Sequence, residues 1–464
     1  MRKLALFILT LVSLIASSCE RDPWLEGPVS LKPSTDTLWF DTLFTQKPGS
    51  SYPISVTKII SIRNPENAWV KADFDLAGGS ASAFRINVDG VAGPSIQGIE
   101  IAPRDSVFVF VQCSLEPNNN TQPAIVLDSI LARVGGRESR VILSAWGWDA
   151  HYVQDSVLPC NTRWSKTDKP YVIVGDVLVR QGCTFTIDPG VQIYASARTV
   201  LYVMGQLNWQ GSPGAPIRIR GDIPSYKTDS LPNQWGGIYL LRNSGNSVLK
   251  HCDIRNANVG IRVDSLPIAG GYNLRMESTR VSYCGQACVA GINAKIEAIN
   301  CLFSDAGSYT FLGLLGGQYN LTHCTMADNG RIGARQKGHF ALTNCLRDGL
   351  GRVVSTEPLQ CSMTNCIVEG PQREEIQFDA DAGAPFNLNF GFNLIRTRND
   401  GGYLPASNHI FNQDPLFEAP LAGNYQLKAG SPAIDKGSST ITIAQDLTGF
   451  ARTAPNDLGC YEYR

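Results

Sequence analysis

The sequence lacks the long stretches of apolar residues at a 3.6-residue period that amphipathic helices require. It also lacks any long run of one charge, and its 40 Lys and Arg against 41 Asp and Glu leave a net charge of −1. The first absence favours an all-β protein, and the second argues against nucleic acid as a partner. The 464 residues include 44 Gly and 26 Pro, which is typical of short strands with frequent turns and leaves room for two domains.

The N-terminus contains an apolar run that is too short to span a membrane comfortably. Arg2 and Lys3 precede the run 4–16, whose 13 residues fall below the roughly 20 that a spanning helix needs. A charged start, an apolar run and small residues before Cys19 are typical of a secretory signal. We therefore interpret residues 1–18 as a signal peptide.

The end of this signal, Ile15-Ala16-Ser17-Ser18-Cys19, resembles a bacterial lipobox. The resemblance implies that Cys19 carries lipid (palmitate among the acyl chains) and anchors an outer-membrane lipoprotein of a Gram-negative bacterium. Residues 20–22 resemble the acidic export signal of surface lipoproteins, which implies exposure on the cell surface. The alternative is a plain signal peptide that is cut near this point and is followed by a chance cysteine.

The second half of the chain repeats a short segment that ends in cysteine. The six cysteines are Cys252, Cys284, Cys301, Cys324, Cys345 and Cys366. From the third of them onward the steps are 23, 21 and 21 residues, and Asn or His precedes each cysteine. A fixed period with one polar and one small apolar residue in register is typical of a solenoid. The pattern resembles the right-handed parallel β-helix of the pectate-lyase-like superfamily.

This register predicts where the cysteines lie. Each of the last four is expected one coil above the previous one and buried, with Asn344 and Asn365 at the same turn. Adjacent coils stack about 4.8 Å apart with parallel Cβ vectors, which suits a disulfide poorly, so we predict mostly free thiols. No metal ligands are predicted, because the pairs Cys284/Cys288 and Cys361/Cys366 lack second pairs at zinc-site spacing.

A separate domain precedes the repeats. After a linker at 19–30, residues 31–152 contain about seven short strands, which suggests an immunoglobulin-like β-sandwich. The segments 62–65 and 101–105 resemble the domain of abnormal-spindle-type proteins, and this resemblance implies a spacer or adhesive module. Two tryptophans near its end, in Trp146-Gly147-Trp148, indicate either a sugar platform or the closing of a sandwich edge.

The β-helix is predicted at 160–404 and a C-terminal closing region at 405–464. The segments 430–435 and 457–463 resemble the terminal region of many secreted parallel β-helix proteins. An open end would expose core and backbone, so a capping element is expected. The predicted fold class is therefore all-β: an N-terminal sandwich followed by a right-handed parallel β-helix with a C-terminal cap.

The sequence does not match the catalytic patterns of enzymes with this fold. In the polygalacturonase pattern Gly-His-Gly follows an Asp-Asp pair, but here Gly338-His339 is followed by Phe340 and no such pair precedes it. We predict no catalytic residue and no cofactor. The loop around His339 is basic, and its side chains are candidate contacts for acidic sugars, with solvated loop charge as the alternative. The four basic side chains are Arg331, Arg335, Lys337 and His339.

The tripeptide Asp-(Ser/Thr)-aliphatic is frequent, and it resembles the O-glycosylation signal of exported proteins in one Gram-negative phylum. The hydroxyl residues concerned are Thr37, Thr42, Ser106, Ser129, Ser156, Ser230 and Ser265. The structural alternative is that Asp-Ser before an aliphatic residue starts a strand after a turn. Both interpretations stay open.

Three functions remain compatible with these patterns. The first is a lipid-anchored, non-catalytic envelope protein whose β-helix surface binds glycan or another surface polymer. The second is a polysaccharide lyase or glycoside hydrolase acting on acidic polysaccharide, which requires carboxylates and a base together on one face. The third is a purely structural stalk. The sequence does not specify the oligomeric state.

Overall fold

The computed structural model describes residues 23–45, 57–117, 121–223, 228–267, 270–333, 335–399, 401–404 and 408–464. The chain divides into two compact units between Asp149 and Ala150. Apart from two short 3₁₀ helices, Gly79–Ala81 and Pro420–Ala422, the regular structure within these ranges consists of β-strands, which confirms the all-β class. Within the same ranges no helix is long and apolar enough to cross a membrane.

The first unit is a β-sandwich of ten strands in two five-stranded sheets. The strands are β1 (Lys32–Pro33), β2 (Thr37–Phe44), β3 (Lys58–Arg63), β4 (Val70–Leu76), β5 (Phe84–Val88), β6 (Val91–Ala92), β7 (Ser95–Ile101), β8 (Ser106–Cys113), β9 (Ala124–Val134) and β10 (Arg137–Trp148). The sheet orders are β1-β3-β8-β5-β6 and β2-β10-β9-β4-β7. Alternate residues point between the sheets, as in β4, where Val70, Ala72 and Phe74 are fully buried. Each large apolar side chain buried in this way stabilises the fold by about 1.5–3 kcal/mol.

The second unit begins with a strand at His151, ahead of the predicted start at 160, and continues as parallel coils. Its strands are β11 (His151–Val157), β12 (Arg163–Trp164), β13 (Tyr171–Val179), β14 (Thr184–Ile187), β15 (Gln192–Ala195), β16 (Val200–Val203), β17 (Gln206–Gln210), β18 (Ile217–Gly221), β19 (Trp235–Leu240), β20 (Ser247–Lys250), β21 (Cys252–Arg255), β22 (Ala257–Asp264), β23 (Leu274–Glu277), β24 (Arg280–Cys284), β25 (Ala287–Ile299), β26 (Leu302–Ala306), β27 (Tyr309–Thr322), β28 (Thr325–Ala327), β29 (Phe340–Thr343), β30 (Cys345–Arg347), β31 (Val353–Thr356), β32 (Leu359–Thr364), β33 (Ile367–Glu369), β34 (Ile376–Asp379), β35 (Phe386–Gly391), β36 (Leu394–Ile395), β37 (Ile410–Phe411), β38 (Phe417–Ala419) and β39 (Asn424–Leu427).

The coils have three faces, each a ladder of parallel strands. The first face contains β16, β19, β22, the N-terminal parts of β25 and β27, β29 and β34. The second contains β14, β17, β20, β23, the C-terminal parts of β25 and β27, β32 and β35. The third contains β15, β18, β21, β24, β26, β28, β33, β36 and β37. Inward residues in register, such as Ile238 and Ile261, form one continuous buried core.

The cysteine column that the repeat predicted exists at the start of the third face. Leu302, Thr325 and Ile367 are register partners, so the residues before them, Cys301, Cys324 and Cys366, lie one coil apart. All three are fully buried. The residue before each cysteine has a positive φ, 53° at Asn300, 49° at His323 and 58° at Asn365. A polar residue therefore turns the chain at each of these corners, as predicted.

Cys345 does not belong to this column, and that prediction is wrong. It begins β30, which pairs antiparallel with β31 in a hairpin inserted between the first and second faces. The two steps of 21 residues therefore add to a single 42-residue coil from Cys324 to Cys366. Asn344 is likewise separate from Asn365, and its side-chain amide donates to the carbonyls of Asp381 and Ala384.

Ten of the cysteines in the described residues are free and buried, as predicted for most of them. The exception is a disulfide between Cys160 and Cys183, whose Cα atoms are 4.8 Å apart. Cys160 lies in a turn and Cys183 directly precedes β14. Because Arg163 and Thr186 are register partners, the two cysteines three residues before them occupy equivalent positions of adjacent coils, so the coil spacing does allow a disulfide here.

The C-terminal region packs against the side of the β-helix. Leu302, Ile367 and Leu394 point outward from the third face and form a second core with residues such as Phe417 and Leu458. The last coil is instead covered by Tyr403 and Leu404, which precede this region. The cap therefore closes the third face, and the end of the β-helix is closed by the segment before it.

Candidate functional site

Two tyrosines and an arginine stack along the outside of the first face. Tyr202, Tyr239 and Arg262 are register partners on β16, β19 and β22, and each points outward because its neighbours on the strand point into the core. The rings of Tyr202 and Tyr239 meet edge to face with centroids 6.0 Å apart. The Arg262 guanidinium carbon lies 5.5 Å from the centroid of the Tyr239 ring. In-register stacking thus places side chains from successive coils in contact.

Apolar residues continue this surface over the next two coils. Ala290 and Leu312 follow Arg262 in the same register, and Val259, Ala287 and Tyr309 form the adjacent column. The small members, Ala287 and Ala290, are buried between the larger half-buried side chains. The result is an apolar strip that is recessed between larger side chains and is flanked by tyrosines. We call it the tyrosine surface, and its residues are Tyr202, Tyr239, Val259, Arg262, Ala287, Ala290, Tyr309 and Leu312.

The positive charge on the tyrosine surface is balanced by a carboxylate beside it. Arg262 donates from Nε to the Oδ1 of Asp264, at 2.9 Å, on the same strand. Burial raises the pKa of Tyr239, so its phenol stays protonated and can donate a hydrogen bond. Half-buried aromatic rings beside hydroxyl, guanidinium and carboxylate groups can contact the apolar face of a sugar and its hydroxyls together.

The predicted basic cluster does not form a single surface. The Arg335 side chain is only 3% exposed; its Nε lies 2.5 Å from Asp328 and its Nη1 lies 3.0 Å from Glu375. His339 is fully buried, and burial lowers its pKa to about 3, so the ring is neutral. It accepts from the Thr310 hydroxyl at Nδ1 and donates from Nε2 to the Glu369 carbonyl. The ligand-contact expectation is therefore corrected for Arg335 and His339, because both side chains are buried and the Arg335 guanidinium is held by two carboxylates.

The other two members of that cluster are exposed. Arg331 donates through its guanidinium to the carbonyl of Leu421 in the C-terminal region. Lys337 is exposed in the same loop. Lys337 thus fits the alternative of a solvated loop charge. Arg331 instead binds the C-terminal region through its hydrogen bond to Leu421.

Carboxylates gather where the C-terminal region meets the third face. Asp328, Glu369 and Asp414 line a cavity of about 310 Å³ together with Tyr425 and others. Burial raises the pKa of Glu369 to about 7, although Arg396 donates to its Oε1. A carboxyl group whose pKa is raised towards neutrality is what the general-acid role in cleaving a glycosidic bond requires.

A neighbouring carboxylate, Asp305, lies too deep to take part. It is fully buried, Tyr425 donates to its Oδ1 at 2.6 Å, and its Oδ2 has no hydrogen-bond partner among the described residues. Burial raises its pKa to about 6. Asp305 therefore serves the packing of the C-terminal region. In the described part of the chain, no group of three or more His, Cys, Asp or Glu is arranged to hold a metal ion.

The seven hydroxyl residues of the repeated tripeptide are all partly exposed. At two sites the preceding aspartate has a structural role: Asp105 and Asp128 accept the N–H of Ser106 and Ser129, each at 2.7 Å. Asp128 also accepts from the backbone of Gly78. The turn alternative is thus supported at these two sites. Residues 1–22, with the signal peptide and Cys19, lie outside the described residues.

The two tryptophans near the end of the sandwich, Trp146 and Trp148, have different positions. Trp148 packs against Phe44 with ring centroids 6.0 Å apart, at the end of β2 and β10. It closes the sandwich edge, which was one of the two alternatives. Trp146 is 40% exposed on the outer face of the sheet.

A family model described as a right-handed β-helix region matches residues 177–326. The match runs from the end of β13 into β28, and so includes the strands of the tyrosine surface. No curated protein matches the chain. The right-handed β-helix is thus supported by both the family model and the structure, and it is consistent with a surface protein or a protein connected with polysaccharides.

The sequence analysis missed the tyrosine surface although a signal for it was present. Tyr202 and Tyr239 each stand between two inward aliphatic residues, so strand alternation alone places them outside. What the sequence hides is their stacking, because 37 residues separate them and the next step, to Arg262, is only 23. A search at one fixed period cannot find a column whose coils differ this much in length.

Proposed function

We propose that this chain is an exported, lipid-anchored protein of the cell envelope that binds glycan through the tyrosine surface without catalysis. The single observation that carries the binding role is the stack of Tyr202, Tyr239 and Arg262 beside a low apolar strip. The strip extends over successive coils, which suits a ligand that is itself extended. The lipobox-like segment ending at Cys19 supports the anchored location.

A glycan array tests the binding role. The protein used is the chain from Glu20 to Arg464, which retains every described residue. We expect the protein to bind a restricted set of the immobilised glycans. We expect Tyr239→Ala to lose most of that binding, because the Tyr239 ring supplies the face on which a sugar ring stacks. Tyr463→Ala is the matched control, since Tyr463 is 38% exposed in the C-terminal region and lies outside the surface. Equal loss in both variants, or no retained glycan, would count against the proposal.

A fractionation experiment tests the anchor separately. The full-length chain expressed in a Gram-negative host should pellet with membranes, and Cys19→Ala should move it to the soluble fraction. Unchanged pelleting of the variant would contradict lipidation at Cys19.

An intact-mass measurement tests the glycosylation proposal. Protein from its native host should exceed the mass of the lipidated polypeptide, with the excess mapping to the seven hydroxyl residues. A mass equal to that of the lipidated polypeptide would contradict it.

The cavity beside Glu369 keeps a hydrolase or lyase as a second candidate. Its specific support is the carboxyl group of Glu369, whose pKa burial raises to about 7, in a cavity that Asp328 and Asp414 also line. This candidate predicts that the protein depolymerises an acidic polysaccharide. Glu369→Gln should abolish that activity, and Tyr239→Ala should leave it unchanged. The stalk alternative predicts neither binding nor activity.

A further inference from the structure

One outer face of the sandwich carries a discrete apolar patch. It lies on the sheet of β2, β10 and β9, where five large side chains are between 40% and 65% exposed. They are Trp39, Ile125, Leu127, Ile142 and Trp146. We call them the sandwich patch.

The register shows that the patch is contiguous. Trp39 and Leu127 flank Ser144 from its two neighbouring strands, and Ile125 is directly opposite Trp146. Residues opposite each other in a sheet are about 5 Å apart, and successive outward rows are about 7 Å apart. Ser144 is only 2% exposed because its large neighbours cover it. The patch therefore presents a nearly continuous apolar surface on the order of 500 Å², at the upper end for a monomer.

The rest of the same face is polar and internally neutralised. Arg133 pairs with Asp75 at 2.7 Å and with Glu138 at 3.0 Å, and Arg140 pairs with Glu138 at 3.1 Å. An apolar centre bordered by paired charges is the usual composition of a protein interface.

Thr37, Thr42 and Ser129 lie opposite Ile142 and Trp146 on this face, so a glycan on any of them would cover the patch. We propose that the sandwich patch of the unglycosylated chain is the contact through which two copies form a two-fold symmetric dimer. The patch carries no charge that would select an oppositely charged partner, and a flat apolar sheet face is complementary to a second copy of itself. Two such faces pack about 10 Å apart, as sheets do inside a sandwich. The apolar area is somewhat more than half of the roughly 800 Å² per partner that a standard interface buries, and the paired-charge border supplies the rest.

Analytical ultracentrifugation over a concentration series tests the dimer, with the chain from Glu20 to Arg464. The unmodified chain should sediment as a dimer at the upper concentrations. Leu127→Asp should raise the dimer Kd at least tenfold, because dimerisation would then bury an unpaired carboxylate. The site is 65% exposed in one copy, so the variant should fold, and its melting temperature checks this.

The matched control is Phe108→Asp. Phe108 is 57% exposed on the outer face of the opposite sheet, and this change should leave the Kd within twofold. A monomer at every concentration, a dimer unaffected by Leu127→Asp, or a dimer lost only in Phe108→Asp would overturn the proposal.

Discussion

Replacing Arg335 by Ala separates a structural role for the basic loop from a ligand-binding role. The side chains of Arg335, Asp328 and Glu375 are 3%, 1% and 0% exposed, and the arginine contacts both carboxylates. Breaking a buried pair by removing one partner typically costs 3–5 kcal/mol, because the remaining charge stays buried without compensation. Since two carboxylates would be left here, we expect a loss of about 3–5 kcal/mol in the free energy of unfolding.

Urea denaturation of the chain from Glu20 to Arg464 measures this loss, and Arg331→Ala is the matched control. Arg331 is exposed in the same loop and forms no buried ion pair with any residue that the structure describes, so its replacement should cost less than about 1 kcal/mol. Arg335→Lys should fall between the two, because an ammonium cannot contact both carboxylates as a guanidinium does. If Arg335→Ala unfolded like the unmodified chain but lost glycan binding, the structural role assigned to Arg335 would be refuted.

Three further predictions concern the buried groups of the β-helix. Cys324→Asp should lower the free energy of unfolding by more than about 3 kcal/mol, because it places a carboxylate in a fully buried site. Cys324→Ala should lower it by only about 1 kcal/mol, because alanine removes little volume from a site that holds a small side chain. Urea denaturation measures both changes. The melting temperature of the unmodified chain should fall as the pH rises from about 4 to above 6. The reason is that burial raises the pKa of Asp305 to about 6 in the folded state, so the folded state favours the protonated carboxyl and loses that stabilisation when Asp305 ionises. Asp305→Asn should weaken this pH dependence of the melting temperature. Alkylation of the denatured, unreduced chain from Glu20 should modify ten cysteines and spare Cys160 and Cys183, as counted by mass spectrometry.

The β-helix was predictable because each coil contains a short, recognisable sequence pattern that repeats along the chain. A polar residue that turns the chain and a buried cysteine recur at Cys301, Cys324 and Cys366, and each needs only its own coil to be recognised. Cys345 shows the limit of that reasoning. It has the same local sequence and the same spacing as the cysteines of the column, but it lies in an inserted hairpin. Only the strand pairing shows whether such a cysteine belongs to the column or to a hairpin.

The candidate site was less predictable because it depends on contacts between coils. Arg335 looks like a loop charge in the sequence, since its partner Glu375 is 40 residues away and becomes a neighbour only when the coils stack. The tyrosine surface depends on the same stacking across coils of unequal length. Strand alternation predicted which residues face outward, whereas the lengths of the intervening loops decided which of them meet.

Hydrogen–deuterium exchange with and without a glycan retained on the array tests the central claim most directly, because it locates the ligand on the unmodified chain. The account predicts slower exchange in β19, β22 and the N-terminal part of β27, the strands that carry Tyr239, Arg262 and Tyr309, with no change at the third face. Protection confined to the strands and loops around Glu369 would contradict binding at the tyrosine surface and favour the carboxylate-lined cavity.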